Sequence, residues 1–176
     1  MEKNMGFNFL DLNDNVRNAM LEEVNLDISS NTLYYSKRFN QHGIDSYPNI
    51  LIESIKGGNE QTLANAIRKD HMFNASSVDK NGRASKTPSN AHETLAEGEF
   101  NRFYIRALAR IAINENKELE VYRAKEVSNA RSESIQKIGI TVNPNDLLAD
   151  LRKNIGIDTF LGLPGGVNSG LSVKLV

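Results

Sequence analysis

The stretch EGEFNRFYIRALAR, residues 97–110, lies inside a helical pattern that constrains the whole chain. Between residues 94 and 114, Leu95, Ala96, Phe100, Phe103, Tyr104, Ala107, Leu108 and Ile111 form one apolar stripe, and Ile105, Ala109 and Ala112 widen it. A helix that is apolar beyond a single stripe must be covered from more than one side. The spacing therefore predicts a central helix, packed against an N-terminal helix and a sheet. Gly98 weakens the first turn by up to ~1 kcal/mol relative to Ala. It points to a close backbone approach there, or to a helix start nearer residue 98.

The rest of the chain supplies the cover. Residues 11–29 place Leu12, Val16, Ala19, Met20, Val24 and Ile28 on one stripe, with Asp11, Asn13 or Asp14 as the cap. In residues 31–43, Leu33 and Tyr35 suggest a short extended segment, and His42-Gly43 marks a turn. Pro48 then reads as a first helical position, giving a helix over 48–56 that Gly57-Gly58 stops. Residues 60–69 form another helix, with Leu63, Ala64 and Ile67 on one face. The pair resembles a helix-turn-helix in outline, but no base-reading pattern opens the second helix, and a plain αα-hairpin is the expectation. Residues 74–93 are rich in Asn, Ser and Lys and predict an exposed polar loop or arm.

Strand signals gather in the C-terminal half. Residues 118–127 alternate, 139–143 and 171–176 are short strand candidates, and SESIQKIG predicts a turn of helix. Asn143-Pro144 with Asp146 opens a helix that ends at Gly156. The expected class is α+β: a mainly helical single domain over 1–176, with a small sheet from the C-terminal half.

Composition excludes several chemistries. With no cysteine there is no disulfide, no thiolate zinc site and no Cys nucleophile. His42, His71 and His92 sit in separate segments without metal-ligand spacing, so neither a metal nor a cofactor is expected. His92 beside Glu93 could serve as an acid/base pair, but an isolated loop histidine is the simpler reading. The loop LGLPGGVNSG, residues 161–170, lacks the Gly-Lys-Ser/Thr of a phosphate loop and reads as a chain reversal or packing loop. No nucleophile elbow is present. Net charge is −1, so no whole-molecule attraction to nucleic acid or anionic lipid is expected. The charge is uneven: residues 1–60 hold 5 Lys/Arg against 9 Asp/Glu, and residues 61–176 hold 16 against 13. That asymmetry could favour head-to-tail contact between copies. No apolar run reaches the ~20 residues needed to span a bilayer. MEKNMGFNFLDLNDN has no secretory pattern. A cytoplasmic or virion-associated location is expected.

The candidate site residues are cationic. Arg102, Arg106 and Arg110 recur every fourth residue and stack on one helix face. Such a ladder can grip phosphates or an acidic partner. Glu99 reaches Arg102 at a spacing of three, which leaves Arg106 and Arg110 to find carboxylates elsewhere in this chain or in a neighbour. The turn VYRAKEVSNARSES adds Arg123, with Lys125 on its face, and Arg131 among hydroxyls that could hold an anion.

The Arg-rich helix, the strand and the Arg-Ser turn ending in a Gly, VYRAKEVSNARSESIQKIG, resemble the C-terminal part of tailed-phage head-morphogenesis (minor head) proteins over about residues 97–139. That resemblance implies a virion or prophage structural role and carries over no catalytic residue. Val121-Tyr122-Arg123 is also similar to the first strand of ADP-ribosyltransferases, but the Ser-Thr-Ser strand and Glu-x-Glu turn that should follow are missing, and that activity is not inferred. The sequence thus points to a non-enzymatic structural or interaction subunit of a larger assembly, with a protein partner or self-association. The alternative is a binder or enzyme acting on a phosphate-bearing ligand through Arg102, Arg106, Arg123 and Arg131. A nucleic-acid-binding protein is third.

Overall fold

The computed structural model describes residues 6–128, 130, 132–156, 162–163 and 169–176. Helix α1 (Asp14–Ser29) starts where the Asn13 side chain accepts the backbone N–H of Val16. Its buried face joins Val16, Ala19, Met20 and Val24 to two acids, Glu23 and Asp27. Ile28, expected on that stripe, is exposed instead.

Helix α2 (Gln41–Gly57) corrects the sequence reading. It begins seven residues before Pro48, at the cap Asn40, whose side chain accepts the N–H of Gly43 at 2.7 Å. His42 and Gly43 are its first turn, not a loop, and Pro48 lies in its interior, where it withdraws one N–H from the ladder. Glycine is required at 43 because a Cβ there would run into the carbonyl oxygen of Met72. Helix α3 (Glu60–Lys69) follows after Asn59, which accepts the N–H of Thr62 while the Thr62 hydroxyl accepts the N–H of Asn59.

Residues 74–93 are not an irregular loop. Strands β1 (Ser76–Val78) and β2 (Ala84–Lys86) pair antiparallel, with Ser77 opposite Ser85. The Asp79 carboxylate accepts the N–H groups of Asn81 and Arg83, and Gly82, at φ 77°, takes the left-handed position closing the three-residue loop.

Helix α4 (Ala91–Glu115) is the centre of the fold. Gly98 lies well inside it, and a Cβ there would meet nothing, so neither reason expected for this glycine applies. α1, α3 and α6 (Pro144–Lys153) pack around α4, and the sheet covers a further side. That sheet has the order β4-β3-β5, built from β3 (Leu119–Arg123), β4 (Thr141–Val142) and β5 (Leu171–Leu175), all antiparallel. A short helix, α5 (Ser132–Lys137), joins β3 to β4. The architecture is α+β and mainly helical, with the small sheet in the C-terminal half. Phe100, Tyr104 and Leu108 on α4 are fully buried. Each side chain of this kind contributes about 1.5–3 kcal/mol of transfer free energy. Asn101 faces the sheet: its Nδ2 donates to the Leu171 carbonyl at 2.8 Å, and its Oδ1 accepts the Ser172 hydroxyl at 2.7 Å.

The segment before α1 is laced across this body. Asn8 N–H donates to the Ala124 carbonyl, Tyr122 hydroxyl donates to the Asn8 carbonyl, and Asp11 N–H donates to the Tyr104 hydroxyl. The Asp11 carboxylate in turn accepts the N–H of Leu175 at 3.0 Å. No described helix is long and apolar enough to cross a membrane.

Candidate functional site

The arginine ladder is turned inward. α4 sets Arg102, Arg106 and Arg110 on the face that meets α1 and α6. Arg106 is 3% exposed and its guanidinium forks onto Asp27, with Nη1 to Oδ2 at 2.7 Å and Nη2 to Oδ1 at 2.9 Å. Its Nε donates to Glu23 Oε1 at 2.9 Å, and the cation lies 4.9 Å from the centre of the Phe103 ring. Glu23, 1% exposed, also accepts both Nε and Nη2 of Arg152, at 3.0 and 2.8 Å, and Nη1 of Arg110 at 3.4 Å. The other end of Arg110 pairs with Glu22. Arg102 donates from Nη1 to the carbonyl of Asn154, at the end of α6, at 3.1 Å.

Three carboxylates from α1 thus face three guanidiniums from α4 and α6, and the charges balance. Burial alone would raise the Glu23 carboxyl, but the Arg152 hydrogen bonds and the Arg106 charge outweigh it and hold the group below its ordinary value. Burial would lower Arg106, and Asp27 and Glu23 reverse that, so its proton is held more firmly than usual. The buried pairs of Arg106 tie α4 to α1, with its Nε, Nη1 and Nη2 each donating to a carboxylate. Sequence reasoning missed Glu22, Glu23, Asp27 and Arg152. A signal existed: Glu23 and Asp27 are four apart and fall on the apolar stripe of α1, where an acid needs a buried cation.

Glu99 stands on the same helix in a different setting. It is buried, and burial pushes its carboxyl up to about 7, against the lowering influence of Arg102 and Arg106 and with a further raising push from Asp27. Tyr34 and Tyr47 are close enough for the Glu99 charge to raise both hydroxyls, after burial as the main cause. The Tyr47 hydroxyl is buried without a hydrogen-bond partner.

The remaining candidates are scattered. Arg123 closes β3 with a buried Nη2 that makes no hydrogen bond, and no hydrogen bond or ion pair links it to the ladder. Lys125 pairs with Glu97. Arg131 lies outside the described residues, as does most of the 161–170 loop. His92 and Glu93 sit side by side in the first turn of α4, 3.8 Å apart. No group of three or more His, Asp or Glu among the described residues could hold a metal ion.

A second charged surface has the opposite character. The hairpin β1–β2 is exposed along nearly its whole length, with Val78 68% exposed. It is fastened at its base: Asn74 N–H donates to the Arg38 carbonyl, and the Arg38 guanidinium donates to Ser85 Oγ at 3.2 Å and Thr87 Oγ1 at 3.4 Å. Phe39 bridges Phe73 and stacks on it at 5.3 Å, and Asn40 Nδ2 donates to the His71 carbonyl. The turn after α3, residues 36–40 and the base of the hairpin are therefore tied to one another. Searches of protein-family models, curated proteins and solved structures give no match to this chain.

Proposed function

We propose that this protein is a non-enzymatic interaction subunit that presents the β1–β2 hairpin to a partner within a larger assembly. The observation that carries the reading is the contrast between the two charged surfaces. Arg106 at the centre of the ladder is buried on its carboxylates, while the hairpin is exposed yet fastened at its base by Arg38. An isolated two-stranded hairpin is marginally stable in water, so anchoring it without burying it favours presentation over packing. The likeness of residues 97–139 to head-morphogenesis proteins supports the same class of role, a structural component of phage or prophage origin. The alternative, a binder of a phosphate-bearing ligand at the ladder, draws less support, because Arg106 has its donors committed to Glu23 and Asp27.

Photo-crosslinking in the producing cells tests this. Val78 is replaced by a benzoylphenylalanine, and exposed Glu118 likewise as a control position. The reading expects a discrete adduct at 78, to a protein, a second copy or nucleic acid, and none at 118. Absence of any adduct at 78 overturns it.

A further inference from the structure

The hairpin, residues 36–40 and the last turn of α3 together carry Lys37, Arg38, Arg68, Lys69, Lys80, Arg83 and Lys86. The acids within residues 36–42 and 61–91 are Asp70 and Asp79, so these segments hold seven cations against two anions in a chain of net charge −1. Everything outside them is acidic on balance. None of the seven cations makes an ion pair with a described residue, in contrast to Arg106, Arg110 and Arg152. Arg38 is bonded only to neutral hydroxyls, which leaves its charge uncompensated. An anchored surface of uncompensated cations calls for a partner with many regularly spaced anions.

The composition of the face discriminates among such partners. Protein interfaces are built around aromatic and other large apolar anchors and are depleted in Lys and Ser. Here Val78 is the lone large exposed apolar side chain of the hairpin, which carries Ser76, Ser77, Ser85, Lys80 and Lys86. Single-stranded nucleic acid is held by stacking on exposed aromatics. The aromatics within these segments, Phe39 and Phe73, are stacked on each other, with Phe39 buried. A duplex needs neither. Its backbone takes Lys, Arg, hydroxyls and backbone N–H groups. A two-stranded ribbon fits the roughly 12 Å major groove of B-DNA, whereas the major groove of A-form RNA is too narrow. On α3, which the turn at residues 70–75 joins to the hairpin, Asn65, Arg68 and Lys69 share the exposed face, and the opposite face is buried through Leu63, Ala64 and Ile67.

We infer that this face docks on the phosphate backbone of double-stranded DNA, with the β1–β2 hairpin lying along a groove. The inference rests on the reading of the hairpin as the presented element and names its partner. Binding is read by fluorescence anisotropy of a labelled mixed-sequence duplex of about 20 base pairs, between about 50 and 200 mM salt. The full chain is expected to bind at the low end of salt and to weaken steeply, with a log–log slope of about −4 to −6. K80A/R83A/K86A and, separately, R68A/K69A change exposed side chains, so the melting temperature should hold. Each is expected to weaken binding by about tenfold or more and to flatten the slope by about 2 to 3 units. K56A/K117A, on other surfaces, should leave binding unchanged.

The inference is overturned if the wild type does not bind duplex DNA at low salt. It is equally overturned if both sets of substitutions leave binding intact, or if single-stranded DNA or duplex RNA binds more tightly. A protein adduct at position 78 together with no DNA binding removes DNA as the partner and leaves the presented hairpin standing. No adduct at 78 removes both.

Discussion

Arg106 and Asp27, 79 residues apart in the chain, meet as a planar two-point fork of 2.7 and 2.9 Å with less than a twentieth of the arginine exposed. A guanidinium cannot lose its proton at any pH the protein meets, so α4 can pack against α1 only with that acid in place.

The clamp should therefore fail unevenly. Glu23→Ala takes one carboxylate from Arg106, which keeps Asp27, and the one that Arg152 holds, and is expected to cost about 1.5–3 kcal/mol. Arg110→Ala removes a cation that is 30% exposed and paired mainly with the exposed Glu22, and should cost under about 1 kcal/mol. Arg152→Ala should fall between them. Urea denaturation of the three variants gives the ranking, and a loss at Arg110 equal to that at Glu23 would contradict it.

Glu99 sets a dependence on pH opposite to that of Glu23. Its folded carboxyl titrates near 7 against an ordinary 4.5, so the folded state binds the proton more tightly. Its contribution is most favourable below the unfolded value and is lost as pH rises towards 7, by on the order of 3 kcal/mol. Glu23 is shifted downward, so its stabilisation is present above the ordinary value and is lost as pH falls. Glu99→Gln keeps a neutral side chain at every pH. Relative to wild type it should gain stability from pH 5 to pH 8, measured by denaturation at both; a constant difference would show that Glu99 titrates normally.

Gly43→Ala tests the approach of α2 to the chain at Met72. The added methyl would collide with a backbone carbonyl, which unlike a flexible side-chain end cannot move without shifting Phe73 and the bridge to Phe39. A loss of about 1–3 kcal/mol is expected, in the range of overpacking. The same change at Gly98, which faces open space inside α4, should raise the melting temperature, since Ala is favoured over Gly in a helix by up to about 1 kcal/mol.

Asn101→Ala would leave the Leu171 carbonyl and the Ser172 hydroxyl without their side-chain partner in a buried site. A cost of about 1–3 kcal/mol follows from the unsatisfied groups. Hydrogen exchange should accelerate along β5 more than along α1; uniform acceleration would instead mean global loosening.

Where an element is specified by its own residues, it could be read from the sequence. α3 and α6 carry their caps, Asn59 and Asn143, immediately before them, and the broad apolar surface of α4 declared its central position. α2 was misread because Pro48 resembles a helix start, while the actual start has a glycine in its first turn for a contact with Met72 that no local pattern encodes. The hairpin had a local signal, Asn81-Gly82, but its flanks lack the apolar alternation that usually accompanies one. The partners of the arginines were out of reach for another reason. An apolar stripe is found by counting apolar residues, and Glu23 and Asp27 are what that count discards.

The bond from the Leu175 backbone to Asp11 has a kinetic consequence. It joins residues 164 positions apart, and the strand that carries it also supplies the partners of Asn101. A ribosome making this chain finishes α4 at Glu115 and reaches β5 only at Leu171, so through that interval the central helix lacks the cover that β5 supplies. Closing so distant a contact is slow relative to local helix formation. The nascent chain should therefore wait as a partly assembled helical body, exposed to aggregation, until β5 arrives.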